Sequence, residues 1–186
     1  MSPRIAPAAR PYPPEIQARF DRIMPPGMEP LALFRTLARD RRLFERFAGG
    51  SLLDRGHLTL RQRELVIHRV TSQCGSEYEW GVHAAFFAAR AGLDAQQLQS
   101  TVRGGPTDPC WEAEDRLLIR LCDSLHTSID IDDDLWGELR HAFSEEAVLE
   151  LLLLAGFYRT VSYLTRALRL SPEPFAVRFP DKGATA

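Results

Sequence analysis

Apolar residues recur along this chain with the period of an α-helix rather than that of a β-strand. Between residues 60 and 74, the side chains of Val66, Ile67 and Val70 project to one side of a helix. Residues 111–126 repeat the pattern with a leucine-rich stripe. Sustained alternation of apolar and polar residues, which is typical of strands, is found in no segment. The pattern therefore predicts an all-α protein.

Capping residues, glycines and prolines divide the chain into about eight or nine helices joined by short loops. Thr59 occupies an N-cap position with Gln62 three residues later, which is the spacing of a capping box. Ser76 and Glu79 repeat that spacing after Gly75, which separates the two helices. The predicted helices cover about residues 15–24, 30–39, 41–48, 60–72, 76–92, 94–102, 111–126, 132–143 and 144–168.

The chain is long enough for one domain with a hydrophobic core. Residues 1–14 are a Pro-rich segment that we expect to be extended, and residues 15–170 form the predicted helical domain. Pro172 and Pro174 exclude helix from a C-terminal tail at residues 171–186, which we expect to have little surface to bury. These features predict a multi-helix single domain.

The composition is that of an ordinary soluble globular protein, with 45% hydrophobic and 26% charged residues. A formal net charge of −2 gives no electrostatic reason to expect nucleic acid or a membrane surface as a partner. The most apolar stretch, residues 148–161, contains Glu150 and Arg159 and is shorter than the about 18 residues that a membrane span needs. It therefore predicts a buried helix. The N-terminus lacks the apolar region of a secretory signal, so we expect a cytoplasmic protein.

The three cysteines, Cys74, Cys110 and Cys122, include no Cys-x-x-Cys motif. An odd number of cysteines without that motif argues against a disulfide framework or a zinc site. We expect Cys110 and Cys122 to be free buried thiols. Cys74 lies next to the predicted start of a helix, where a lone thiol can become reactive.

Two glutamate–histidine pairs at helical spacing carry the candidate chemistry. Glu64 and His68 are four residues apart on one predicted helix, and Glu79 and His83 repeat the spacing on the next. The glycine turn between these helices folds them together. Four side chains can converge there: Glu64, Ser76, Glu79 and His83. Carboxylates beside histidines suit acid–base chemistry near neutral pH.

Other interpretations of the same residues remain open at this point. Ser76 and Glu79 can form a capping box with no chemical role. The two glutamate–histidine pairs can be solvated pairs on helix surfaces. Two Glu-x-x-x-His pairs can also bind a metal ion, although di-iron helical bundles use a Glu-x-x-His spacing instead.

The sequence resembles the carboxymuconolactone decarboxylase family, which includes thiol proteins of the alkyl hydroperoxide reductase D type. The resemblance begins with the run Leu58-Thr-Leu-Arg-Gln-Arg-Glu-Leu-Val-Ile-His-Arg-Val and continues in Gly75-Ser-Glu-Tyr-Glu-Trp-Gly-Val-His83. Further matching segments, such as Trp111-Glu-Ala-Glu-Asp-Arg-Leu-Leu, extend it over about residues 30 to 170. The resemblance implies an all-α fold of the alkyl hydroperoxide reductase D-like type and a homo-oligomer (dimer, trimer or hexamer).

The family's thiol branch carries a glutamate, a Cys-x-x-Cys pair and a histidine. The two cysteine positions of that motif fall on Ser76 and Glu79 of this chain, so both redox thiols are replaced. The lactone decarboxylase branch resembles Glu-Leu-x-x-His, which here is Glu79-Trp-Gly-Val-His83. That branch implies loss of CO₂ from a carboxylated lactone without a cofactor. His83 would then move the proton, and Glu64 and Glu79 would orient it and tune its pKa.

Three functions follow from these observations. The first is a decarboxylase-like lyase or isomerase that acts on a small carboxylated ring compound, with Arg159 or Arg69 as candidates to bind its carboxylate. The second is a peroxidase or thiol oxidoreductase that uses Cys74 alone. The third is a non-catalytic protein that kept the fold and binds a ligand. Each predicts a small molecule as partner, with no metal and no cofactor.

Overall fold

A computed structural model gives the structure of residues 2–181; residues 182–186 of the predicted tail lie outside this described part. The described residues form nine helices and no strand, which confirms the predicted all-α class. The helices are α1 Pro14–Ile23, α2 Ala32–Leu37, α3 Arg41–Gly49, α4 Leu60–Gln73, α5 Glu77–Phe87, α6 Ala95–Arg103, α7 Ala113–Thr127, α8 Asp133–Ala142 and α9 Glu145–Ala167.

The two predicted capping boxes have different outcomes. The Thr59 side chain accepts a hydrogen bond from the Gln62 backbone, and the Gln62 side chain accepts one from the Thr59 backbone, so the capping box of α4 is confirmed. The capping box predicted at Ser76 is wrong, because no described donor of α5 reaches its side chain. The Ser76 hydroxyl instead bonds the Thr165 hydroxyl of α9 at 2.8 Å. The Glu79 side chain therefore does not belong to a capping box with Ser76.

Helix α4 lies at the centre of the fold and packs against α5, α6, α7 and α9. Its apolar residues Leu65, Val66 and Ile67 are fully buried, although they point in different directions around the helix. A helix covered on several sides can bury polar groups as well, and Glu64 and His68 of α4 are also 0% exposed. Burial of this helix thus sets the electrostatic conditions of the site described below.

Helix α9 is the long apolar helix that the sequence predicts, although it extends beyond the stretch 148–161. By length and composition alone it is apolar enough to cross a membrane. In the folded chain, one face packs on α4 through Leu151, Leu154 and Val161, which are fully buried. The helix thus acts as a core element of the domain.

Helices α1 to α3 form a smaller cluster beside the main core. Its centre consists of Tyr12, Ile16, Phe20 and Phe44, whose aromatic rings meet in edge-to-face geometry. The Pro-rich N-terminal segment contributes to this cluster through Tyr12. This layer closes one side of the cavity described below.

The C-terminal tail packs against α5, contrary to the expectation that it has little to bury. The Val177 backbone donates to the Gly81 carbonyl at 3.1 Å, and the Phe179 backbone donates to the Glu77 carboxylate at 2.9 Å. The Phe179 ring also lies 5.3 Å from the Trp80 ring, centroid to centroid. We call residues 171–181 the C-terminal strap.

Glu173 connects the strap to the N-terminal half of the fold. Its carboxylate accepts hydrogen bonds from the Tyr78 hydroxyl of α5 and from the Ala32 backbone at the start of α2. The Tyr78 oxygen in turn accepts from the Leu33 backbone at 3.1 Å. One carboxylate therefore joins the strap, α2 and α5.

The contact between Gly81 and the strap gives a stability prediction. A Cβ atom at Gly81 would lie 2.1 Å from the Val177 carbonyl oxygen. We expect Gly81→Ala to displace the strap and to lower the free energy of unfolding by about 1–3 kcal/mol, although alanine is the better helix former. Chemical denaturation measures this change, and Trp80 fluorescence reports whether Phe179 has moved.

Gly137 of α8 is the matched control, since no described atom lies within 4 Å of a Cβ placed there. Gly137→Ala should raise the free energy of unfolding by about 0.5–1 kcal/mol through helix propensity alone. An equal gain in stability from both substitutions would contradict the packing role of the strap.

Candidate active site

Glu64 and His83 meet where α4 and α5 fold back on each other. Gly75 makes the turn between these helices with a φ of +64°, a conformation that glycine adopts without strain. The two helices then run side by side. The His83 Nδ1 atom lies 2.8 Å from the Glu64 carboxylate. The turn thus produces the convergence that the sequence predicts for this pair.

Glu79 lies on the other side of the His83 ring. The His83 Nε2 atom is 3.4 Å from the Glu79 Oε1 atom, which is close for an ion pair but long for a hydrogen bond. The imidazole is thus placed between two carboxylates. All three residues are buried, so the interpretation of the Glu79–His83 pair as a solvated helix pair is wrong.

Arg63 completes the charge pattern around Glu64. Its guanidinium lies 3.2 Å from the Glu64 Oε1 atom and also donates to the Leu53 carbonyl at 3.0 Å. Each oxygen of the fully buried Glu64 carboxylate therefore has its own partner, Arg63 on one side and His83 on the other. Paired in this way, the carboxylate can remain ionised in the core.

The pKa values of the pair move in opposite directions. Burial alone lowers the pKa of His83, but the Glu64 charge and hydrogen bond, followed by Glu79, outweigh it and raise the pKa to about 9. Burial raises the pKa of Glu64, but the charge and hydrogen bond of His83, together with the Arg63 charge, outweigh it, and that pKa is lowered. At neutral pH, the site therefore holds an imidazolium between carboxylates.

His68 stays neutral beside this charged group. Burial lowers its pKa to about 4, although its Nδ1 atom bonds the Glu64 backbone carbonyl at 2.6 Å. Its ring packs edge to face on Trp80, with the centroids 5.6 Å apart. The sequence pairs His68 with the Glu64 side chain, whereas the structure pairs it with the Glu64 main chain.

An apolar cavity of about 270 Å³ lies against Glu79 and His83. Its walls come from α1, α2, α3, α5 and α9, and from the loop after α3. Its apolar lining residues are Ile23, Met24, Pro25, Leu31, Phe34, Phe47, Ala48, Leu53, Val82, Phe86, Phe87, Phe157 and Tyr158. An apolar cavity with a few polar groups is typical of a small-molecule site.

The polar groups on the cavity wall are few and distinct. Glu79 and His83 lie in the wall, and Ser51 and Arg90 are the other polar lining residues among those described. The Glu79 Oε2 atom is buried and has no hydrogen-bond partner in the described residues. A buried carboxylate oxygen without a partner costs free energy, so it marks a position where a ligand donor can bind.

Tyr158 of α9 packs directly on the site histidine. Its ring meets the His83 ring edge to face, with the centroids 5.1 Å apart. Burial, together with the charges of Glu79 and Glu64, raises the pKa of Tyr158 well above its usual value. Tyr158 therefore remains a neutral phenol at any physiological pH.

Ser76 and Cys74 lie away from the cavity. The Ser76 hydroxyl is directed to Thr165 and is not part of the cavity lining. Cys74 is a half-buried C-cap residue of α4 and is likewise outside that lining. Cys110 is only half-buried, whereas Cys122 is fully buried, where its pKa is raised to about 12 by desolvation. Cys110 is a free thiol as expected, but the expectation that it is buried is wrong.

The arginines expected to bind a substrate carboxylate have other partners. Arg69 is bonded to Asp123, and Arg159 donates to the Tyr163 hydroxyl outside the cavity. Arg90 is the cation that lines the cavity. It stacks over Phe87, whose ring lies 5.3 Å from the His83 ring. His83, Phe87 and Arg90 thus form one row along the site, which we call the aromatic row. Their spacing at i, i+4 and i+7 is the sequence signal that could have identified it.

Arg63 and Tyr158 had no such signal, because their contacts to the site depend on tertiary packing.

Within residues 2–181, no group of three or more His, Cys, Asp or Glu side chains is arranged to hold a metal ion. The arrangement instead offers a proton donor, a proton acceptor and an apolar chamber.

Comparisons with known proteins agree with the predicted family and fold. A sequence model described as "Carboxymuconolactone decarboxylase family" matches residues 41–119, which contain Glu64, Glu79 and His83. A search of the curated proteins gave no match.

Solved structures share the fold at low sequence identity. A peroxidase-related protein from Silicibacter sp. TM1040 has a TM-score of 0.80 at 20% identity, covering 94% of this chain and 95% of that one. An alkylhydroperoxidase AhpD core protein from Ralstonia eutropha JMP134 has a TM-score of 0.78 at 16% identity, covering 91% and 93%. The debrominase Bmp8, in a complex with 2,3,4-tribromopyrrole, has a TM-score of 0.76 at 17% identity, covering 94% of each chain. At these identities the similarity shows the fold, which is that of alkyl hydroperoxide reductase D-like proteins.

Glu64→Gln tests the electrostatic origin of the His83 shift. The substitution keeps the shape of the side chain but removes its charge, while His83 remains buried. We expect the pKa of His83 to fall from about 9 by about 2 units or more. An NMR titration of the imidazole measures it. Glu138→Gln, at the exposed pair with Arg120, is the control and should leave the titration unchanged. A His83 that still titrates near pH 9 in Glu64→Gln would contradict the assignment.

The raised pKa of His83 also predicts how stability depends on pH. The folded state keeps the His83 proton up to about pH 9, whereas the unfolded chain loses it near pH 6.5. The stabilisation is therefore complete below pH 6.5 and is lost as the pH rises through about 9. We expect the free energy of unfolding to fall by about 3 kcal/mol over this range.

Denaturant titrations at a series of pH values measure this slope. His83→Gln should flatten it, and His141→Gln, at an exposed position on α8, should not. The same slope in wild type and His83→Gln would rule out His83 as its source.

Proposed function

We propose that this chain, whose residues 41–119 match the carboxymuconolactone decarboxylase family model, is a cofactor-independent acid–base enzyme. Its proposed reaction is the loss of CO₂ from a small carboxylated ring compound of the lactone type. The main support is one arrangement: His83 is protonated and the Glu79 carboxylate has an unpaired oxygen, and both lie on the wall of the same apolar cavity.

His83 is the proposed proton donor. The bond between the ring carbon and the carboxylate breaks, and its electron pair moves to the ring carbonyl to give an enolate and CO₂. The enolate carbon then takes the Nε2 proton of His83, which is held only loosely by Glu79 at 3.4 Å. Solvent returns a proton to the imidazole. Glu64 keeps the opposite ring nitrogen in place at 2.8 Å.

Glu79 has two roles in this proposal. Its charge favours the imidazolium form of His83, and its free oxygen can accept a proton from a ligand donor. It also disfavours a substrate carboxylate close to it, so the carboxylate is better directed away from Glu79, on the side of the ring that faces Arg90, while the carbon that bears it stays beside His83. Arg90 and Glu79, as the cation and the anion of the cavity wall, thus orient a ring compound between them.

The size of the cavity supports a small ligand. About 270 Å³ lined by aromatic and aliphatic side chains suits a single ring with short substituents. The structurally similar debrominase was solved with 2,3,4-tribromopyrrole, which is also a small ring. This likeness supports the size and apolar character of the ligand rather than its chemistry.

Thiol chemistry receives less support from the geometry. Cys74 is outside the cavity lining, and the two cysteine positions of the thiol branch hold Ser76 and Glu79. Two of the structurally similar proteins are described as peroxidase-related, so the assay below measures peroxide consumption as well as CO₂ release. A non-catalytic ligand-binding role uses the same cavity and predicts binding without turnover.

The proposal predicts which variants lose turnover. A panel of small carboxylated lactones is incubated with the protein in D₂O, and CO₂ release and deuterium at the former carboxylate position are measured. We expect His83→Gln and Glu79→Gln to lower kcat by about 10²–10⁴-fold. Arg90→Ala should raise KM more than it lowers kcat, since it removes a binding contact.

Cys74→Ser and Arg159→Ala serve as controls and should turn over at the wild-type rate. Equal rates in wild type and His83→Gln would exclude the acid–base proposal. Peroxide consumption that disappears in Cys74→Ser would favour the thiol peroxidase instead. Saturable binding of a ring compound with no product would favour the non-catalytic role.

A further inference from the structure

Helix α9 presents a second apolar face on the side opposite the core. Leu149, Leu153 and Tyr163 are 61%, 65% and 59% exposed, and Gly156 and Thr160 lie between them in the same row. We call these five residues the outer face of α9. A helix that is apolar on both sides is normally covered on both sides, whereas this one is covered by the described chain on its core side alone.

The spacing along the outer face is that of a helix–helix seam. The steps between successive members are four, three, four and three residues, which is the heptad pattern of paired helices. From Leu149 to Tyr163 the face extends about 21 Å along the helix. Lipid contact requires no such regular narrow seam, whereas a second helix does.

The outer face is nearly symmetric about Gly156. Leu149 and Tyr163 lie seven residues before and after it, and Leu153 and Thr160 lie three before and four after. No described atom lies within 4 Å of a Cβ placed on Gly156, so another backbone can approach closely there. A face that is symmetric about its midpoint matches its own copy in an antiparallel arrangement.

Charges at the ends of α9 favour the same arrangement. The helix begins with Glu145 and Glu146, and Arg166 lies in its last turn. Glu145 already accepts from Arg140 at 2.9 Å in its own chain. An antiparallel pair brings the acidic end of one copy beside the basic end of the other, and it also opposes the helix dipoles. A parallel pair would place like charges together.

Ile129 extends this apolar surface. It is 81% exposed, and its φ of +62° is unfavourable for a β-branched residue. It lies beside the outer face, because it lines a cavity of about 290 Å³ together with Gly156 and Leu152. An exposed isoleucine held in a strained conformation is expected where a contact compensates for the strain.

We infer that the outer face of α9 is a dimer interface, in which a second copy of this chain packs its own α9 antiparallel about a two-fold axis at Gly156. The inference is independent of the proposed function, since the cavity with His83 lies on the other side of α9. It identifies the surface through which the predicted homo-oligomer forms.

Cysteine cross-linking tests the axis directly. In the full-length protein, Gly156→Cys should give a disulfide-linked dimer on mild copper–phenanthroline oxidation, because the two copies of residue 156 face each other within disulfide range. A mixture of Leu149→Cys and Tyr163→Cys chains should form a mixed dimer. Wild type and Ala89→Cys, at an exposed position in the turn after α5, should form none.

Light scattering tests whether the outer face of α9 stabilises the dimer. Leu153→Glu should reduce the mass at micromolar concentration to that of the 21.0 kDa monomer. Leu43→Glu is the control, since Leu43 is 45% exposed on α3, and it should leave the dimer intact. Circular dichroism verifies that both variants fold. If Leu153→Glu does not fold, the cross-linking pattern decides.

Three results would overturn the inference. Wild type could be a monomer at micromolar concentration. It could be an oligomer that neither cross-links at Gly156→Cys nor dissociates in Leu153→Glu, which would place the interface elsewhere. It could instead bind vesicles of anionic phospholipid through Leu153, which would make the outer face a membrane surface.

Discussion

The buried contact between Glu64 and His83 is the interaction on which the rest of the site depends. It joins α4 to α5 through two charges that are almost completely removed from water. Removing one partner of such a pair typically costs about 3–5 kcal/mol, because the other charge remains buried alone. Arg63 and Glu79 therefore have structural as well as chemical importance, since they balance the charges that the pair leaves. The protonated state of His83 is a consequence of this packing.

The helices were predictable because their signals are local. The cap at Thr59 and the turn at Gly75 depend on residues a few positions away, and the structure confirms them. The approach of Glu64 to His83 was predictable for the same reason, since a tight turn leaves adjacent helices few arrangements. The Ser76 hydroxyl was not, because its partner Thr165 is 89 residues distant.

The C-terminal strap was also beyond prediction from sequence. Proline-rich residues without periodicity give no apolar pattern, yet Phe175 and Phe179 find aromatic partners on α5. The same limit applies to the cavity, whose walls come from helices far apart in the chain. The sequence therefore identified the polar centre of the site, and tertiary contacts determined its lining.

Glu173 and its neighbours in the strap have a consequence for the order in which the protein is made. Synthesis proceeds from the N-terminus, and domains usually complete their folding as the chain emerges. Here the helix that carries Glu79 and His83 is covered by residues 173–179, which leave the ribosome after all nine described helices. Until then Trp80 and Gly81 are not covered by the strap. A nascent chain can therefore contain every residue of the candidate site while the packing around α5 is still incomplete.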